Sequence, residues 1–314
     1  MTMNRTSLAL QAAKAALSVR QRLQINATSP VCVWDAAKEL GIATWLVDVS
    51  SLEGMYVQGK PATILIGTRR PTGRQAMTCA HEIGHHAFQH GSQIDEYLVS
   101  DKAEGRTPEE FLANTFASNF LMTRGAVAQG LLARGIATNQ ATPEQIYSLA
   151  TWLGVSYTGL LYHMRSALQI IPRAVADRLL KTEPKEIRAS IANRLGLRDV
   201  RGEIIIADQS WTGRPIDGQV DDVVCVPAGA SFDDFCGRLD GTVITLTTPG
   251  IGRVYHKDLR WAAFLRVSRQ HFAGLAEYRH LEEADEPTDR AIQPTGLSAI
   301  DRNGVDNLAP TDAL

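Results

Sequence analysis

The stretch GRQAMTCAHEIGHHAF, residues 73–88, decides how this chain is read. It opens in turn residues, passes through small side chains into a helix, and carries HEIGH at 81–85. His81 and His85 stand one helical turn apart, so both imidazoles leave the same face. Glu82 is displaced around the helix, enough to serve as a general base without ligating an ion. Two neutral nitrogen donors beside such a base are the parts a zinc hydrolase requires. The bland alternative is a helix with two surface histidines. The packing series Ala80, Ile83, Gly84, Ala87 and Phe88, together with the carboxylate at 82, weighs against it. Gly84 costs about 1 kcal/mol of helix propensity against Ala, which is reasonable if another backbone or a substrate passes close by. His86 and His90 repeat the four-residue spacing without a Glu after the first, and read as solvent-facing side chains or as supports for the ligands.

A catalytic zinc takes three protein ligands and keeps one position open. The best source of the third is EEFLANTFASNFLM, residues 109–122, where Glu110, Ala113, Asn114 and Ala117 share a helix face. Small residues there let the helix approach the first one and bring Glu110 to the metal. Thr107 and Pro108 suit the N-cap and first helical positions. The Thr107–Glu110 spacing is also that of a capping box, a purely structural use for Glu110, and Glu109 remains the other candidate. An oxyanion donor is needed as well; Tyr56, Tyr162 and His163 are the candidates, with nothing to choose among them.

The run GMYVQGKPATILIGTRRPTGRQAMTCAHEIGHH, residues 54–86, followed by ExxANxFASNFLM, resembles the ImmA/IrrE family of metallopeptidases over residues 30–165. The resemblance implies a compact zincin-type fold, a third zinc ligand falling on Glu110, and a protein substrate: a helix–turn–helix repressor whose cleavage switches on stress or phage-defence genes, often after DNA damage. It also implies a GAF-like sensory domain beside the peptidase. The family's second segment usually ends in Met-Pro, whereas this chain has Met122-Thr123. That difference bears on how the helix stops and leaves the metal untouched.

Outward from this centre, 314 residues at 44% hydrophobic and 21% charged content describe an ordinary globular chain long enough for two domains. Four cysteines at 32, 79, 225 and 236 form no CxxC and read as reduced thiols. Most such cysteines are small apolar core residues; the sharper reading is that a thiolate from Cys32, Cys225 or Cys236 holds the zinc latent. Residues 1–23 lack the unbroken apolar run of a signal peptide and no segment is apolar enough to span a bilayer, so the expected compartment is the cytoplasm, with no membrane partner.

Helices are expected at 7–23, 30–40, 72–90, 107–122 and 143–168, the last with a helix–turn–helix outline broken at Gly154. IATWLVDV and ATILIG read as strands, with SSLEGMYVQGK as the turn between them. A polar loop leads from Gly91 to Thr107. After Arg-rich helical sequence at 173–201 come the strands GEIIIAD, DDVVCVPA, GTVITLTT and IGRVYHKDL, then a closing helix over 261–281. The expected architecture is α+β: a compact zincin-type peptidase domain over 1–168, a smaller α+β, GAF-like domain over 169–281, and a tail over 282–314. In that tail eight acids face two arginines, and it reads as disordered.

The helix–turn–helix outline offers few base-reading side chains, so it reads as structural or substrate-docking. Basic residues concentrate instead at 173–201 and 253–279, the latter interleaved with Tyr255, Trp261, Phe264, Phe272 and Tyr278. Cationic surfaces with aromatic platforms suit single-stranded nucleic acid, which makes Arg260, Arg266 and Arg269 candidate contacts to single-stranded DNA as an activating signal. A solvated helix face over core aromatics explains the pattern equally well. The rival to the enzyme as a whole is a non-enzymatic DNA-binding regulator with a structural zinc, for which the base at Glu82 has no use.

Overall fold

A computed structural model describes residues 4–96, 107–198, 200–233 and 235–281. The acidic tail and most of the polar loop before Thr107 lie outside the described residues.

Helices α1 (Arg5–Arg22) and α2 (Val33–Glu39) lead into β1 (Ala43–Val47), β2 (Leu52–Val57) and β3 (Thr63–Gly67). Helix α3 (Thr72–Ala87) follows, then β4 (Gln93–Glu96) and α4 (Pro108–Leu121). β1 and β3 pair in parallel, β2 runs antiparallel to β3, and β4 runs antiparallel to β2. The alternating β-branched residues of β3 put Ile64 and Ile66 fully into the core. The expected turn over SSLEGMYVQGK is corrected: its centre is β2. Gly54 and Gly59 gave it a turn's composition, but pairing on both edges overrides that local preference.

α3 and α4 lie against each other, with α1 packed on α4 through the fully buried Ala12 and Ala16. The buried Arg20 of α1 donates to the Phe120 carbonyl at 2.6 Å and to the carbonyls of Asn26 and Ser29, tying down the end of α4. Thr107 caps α4, accepting from the Glu110 amide at 3.3 Å, with Pro108 in its first turn.

Helix α5 (Arg124–Ala133) is capped by Thr123, which takes the place of the proline of the resembled family. α6 (Pro143–Leu153) opens on a Thr142–Gln145 capping box and closes on Gly154 at φ 71°, before α7 (Tyr157–Tyr162) and a π-turn over His163–Ala167. Ile146, Leu149, Leu153, Leu160, Leu161 and Met164 are fully buried, so this outline is used for packing.

Helices α8 (Arg173–Leu179) and α9 (Pro184–Arg194) precede a mostly β region. It contains β5 (Ile204–Ile206), β6 (Ile216–Gln219), β7 (Val223–Cys225), β8 (Ser231–Phe232), β9 (Gly237–Asp240), β10 (Val243–Leu246), β11 (Gly250–His256), β12 (Trp261–Ser268) and β13 (Gly274–Leu275). One sheet has the order β5-β7-β10-β9 and another β6-β12-β11-β8. β13 joins the first sheet beside β1, giving β13-β1-β3-β2-β4. The closing helix expected over 261–281 is therefore corrected to two strands and a short 3-10 turn (Ala276–Tyr278). WAAFLRVS has helix-favouring composition, yet Trp261, Leu265 and Val267 are buried at period two, the signature of a strand. Among the described residues no helix is long and apolar enough to cross a membrane.

Candidate metal centre

The centre is built where α3 crosses α4. A Cβ on Gly84 would lie 3.0 Å from the Ala113 Cα and 3.2 Å from its carbonyl oxygen. The glycine is thus what allows the two backbones to approach, and Ala113, fully buried, is its counterpart on α4. With the helices this close, Glu110, one turn before Asn114, overhangs the histidine face of α3. The other side of α3 rests on the sheet, where a Cβ on Gly54 would lie 2.4 Å from Glu82 Oε1 and 2.5 Å from Thr78. Gly54 makes room for the general-base candidate, which is wholly buried. Glu53, next to it on β2, holds the start of α3 through Arg70 at 2.7 Å and Arg74 at 3.0 Å.

His81, His85 and Glu110 form the one group of His, Cys, Asp and Glu side chains among the described residues able to share an ion. His81 Nε2 and His85 Nε2 are 2.9 Å apart; Glu110 places Oε2 3.3 Å from the first and Oε1 3.2 Å from the second. Donors about 2.0–2.1 Å from a tetrahedral zinc lie about 3.3–3.4 Å from one another. The observed separations lie at or below that spacing, the two to Glu110 being to different oxygens, so the three side chains are close enough to share one divalent ion. The histidines are buried while Glu110 is 27% exposed, which leaves the open side beside the carboxylate. Hydrogen bonds first with His81 and then with His85 hold the Glu110 carboxyl well below the usual carboxylate range. It is ionised at neutral pH, as a ligand must be.

The neighbouring histidines support this set. His90 Nδ1 lies 2.9 Å from His85 Nδ1, leaving His85 Nε2 for the metal. His86 Nδ1 lies 3.1 Å from the Tyr56 hydroxyl. Burial lowers the pKa of both His90 and His86, so both favour the neutral form. Glu109, the alternative third ligand, stands outside the cluster.

Of the oxyanion candidates, Tyr56 is buried with its hydroxyl on His86, one residue from a ligand candidate. Tyr162 is half exposed beneath the Arg165 guanidinium. His163 is buried and turned to the Met122 carbonyl at 2.9 Å. Arg266, an expected nucleic-acid contact, is corrected: it faces inward, pairing with Asp217 at 2.8 Å and Asp35 at 2.9 Å. Trp261, an expected stacking platform, is buried and donates to the Trp211 carbonyl. Arg260 is exposed in the turn between β11 and β12, and Arg269 is half-buried after β12. Cys79 and Cys236 are buried, Cys32 sits beside Arg266, Cys225 is on β7, and the metal-capable cluster contains none of them.

Gly54 is the site residue that sequence reading did not assign, whereas His90, read as solvent-facing or as a support for the ligands, lies against His85. A glycine in a β-rich run facing the HExxH helix was the available signal for Gly54. His90 had only its spacing from His86, which points to the wrong partner.

Residues 37–163 match the family model for M78 peptidases, described as the IrrE N-terminal-like domain. No curated protein matches the chain.

Proposed function

We propose, from the premise that residues 37–163 are an IrrE N-terminal-like domain of the M78 peptidase family, that this chain is a cytoplasmic zinc endopeptidase of narrow specificity acting on a helix–turn–helix transcriptional repressor. The observation that carries the reading is the convergence of His81, His85 and Glu110 beside a buried Glu82. A structural zinc would use a fourth protein ligand and has no use for that base. When bound, zinc supplies a Lewis acid that polarises the scissile carbonyl and acidifies the attacking water. His81 and His85 hold their positions through the α3 backbone, and His90 orients His85. Glu82 takes the water's proton and hands it to the leaving amine, so that no charged amide nitrogen has to depart. Tyr56, buried on β2 with its hydroxyl against His86, the neighbour of His85, is the favoured donor to the developing oxyanion.

Cleavage of the repressor would release stress or phage-defence genes, with residues 169–281 as the sensory, GAF-like half. Single-stranded DNA as the signal keeps Arg260 and Arg269 as its contacts. The test is incubation of the zinc-loaded protein with a repressor encoded beside its gene, with and without a single-stranded oligonucleotide. Glu82→Gln is expected to keep its zinc and lose cleavage by about a hundredfold or more. Undiminished cleavage by that variant would overturn the mechanism. Regulation of transcription that persists without cleavage would favour the non-enzymatic, DNA-binding alternative.

A further inference from the structure

A cavity of about 310 Å³ lies between the first turn of α3 and the β5–β6 region, and none of His81, His85 or Glu110 lines it. Its size is at the small end of ligand pockets. Trp34, Leu46, Ile204 and Trp211 give it apolar walls. Among the described residues its lining holds four arginines and two carboxylates; Arg74 pairs with Glu53 and Arg188 with Glu203, which leaves Arg214 and Arg279 facing Asp217.

The charge balance around Asp217 is uneven. Arg214, Arg266 and Arg279 all reach this one carboxylate, at 3.4, 2.8 and 2.9 Å, and only Arg266 has a second acid, the half-exposed Asp35. The Arg214 and Arg279 side chains are 9% and 6% exposed. Among the described residues no second acid pairs with Arg214 or Arg279. Burial, and then Asp217, push the Cys32 thiol up to about 12, so it stays neutral beside Arg266. Buried cations that share a single counter-charge are costly, and these two are stacked on aromatic rings at the cavity wall: Arg279 over Trp34 and Arg214 over Trp211.

We infer that this cavity is a binding site for a small planar organic anion, its ring against the two tryptophans and its charge toward the guanidinium groups stacked on them. The inference goes beyond the peptidase reading and stands without it. Its interest lies in α3, which lines the cavity with Gln75 and carries His81 six residues on, about 9 Å along the helix. A ligand here touches the helix that holds the metal-centre residues.

The experiment is calorimetric titration of the full chain with benzoate, benzamide and benzamidine, three probes of one shape and charges of minus one, zero and plus one. Benzoate is expected to bind at least tenfold more tightly than benzamide, with no heat from benzamidine. Ala150→Phe, which fills the cavity, should abolish benzoate binding. Arg214→Met, which removes one of the two stacked guanidinium groups, should weaken benzoate about tenfold and leave benzamide unchanged, which keeps the test sound if the filled variant does not fold. Equal affinity for the three probes, no benzoate heat at millimolar concentration, or binding that survives both substitutions would overturn it. Each of these outcomes is read without any cleavage assay, so failure of the peptidase reading leaves it intact.

Discussion

At the scale of single residues, Glu110 does two jobs that are usually separate. Its amide is the donor that Thr107 caps, while its carboxylate turns away from the capping-box position toward His81 and His85. The backbone role survives any side chain, so the two can be separated by substitution. Glu110→Ala is expected to leave α4 folded and to lose stoichiometric zinc, read by metal analysis after dialysis and by circular dichroism. Glu109→Ala should retain it. The reverse pattern would move the third ligand to Glu109. His85 also depends on a neighbour, since its Nδ1 is held by His90. Removal of such outer partners typically weakens metal affinity 10–100-fold, and His90→Phe is expected to fall in that range in a competition titration with a zinc chelator.

At the scale of elements, the α3–α4 crossing governs the site, and Gly84 governs the crossing. Adding a methyl group at 84 puts it 3.0 Å from the Ala113 Cα, where no flexible side chain can yield. Gly84→Val should therefore force the helices apart. Overpacking of this kind costs about 1–3 kcal/mol, and zinc affinity should fall even though every ligand is intact. Urea unfolding with a parallel zinc titration checks both; unchanged zinc affinity would show that the helix spacing does not set the ligand geometry. The Gly54 contact with Glu82 is the equivalent device on the sheet side.

At the scale of the molecule, the C-terminal β region is stitched to the N-terminal sheet. β13 pairs with β1 through Trp45 and Leu275, and Arg266 reaches Asp35 on α2. His280 is buried just after this join, and burial followed by the charge of Arg279 pushes its pKa down to about 3. A histidine depressed in the folded state contributes stability that is present above its unfolded value near 6.5 and is lost as pH falls toward 3. Metal-free protein should thus lose thermal stability as pH drops through that window. His280→Leu should lose less over the same range, measured by scanning calorimetry from pH 7.5 to 4. Parallel curves for the two proteins would show that His280 carries none of the acid sensitivity.

What the sequence determined by itself was whatever depends on local spacing: the two histidines on one turn, the base beside them, the caps at Thr107 and Thr142, and the small-residue faces that let two helices meet. Those features need only the 3.6-residue period and the chemistry of the side chains. The tertiary structure decided what depends on partners far along the chain. SSLEGMYVQGK became a strand because β3 and β4 pair with it, and WAAFLRVS became one because β6 and β11 flank it. Arg266 and Trp261 turned inward because Asp217 and the Trp211 carbonyl, some fifty residues away, offer them buried partners. The carboxylate of the metal-capable cluster stands between the two cases: its residue type and helix face were legible, but that Glu110 and not Glu109 joins His81 and His85 required knowing which side of α4 meets Gly84.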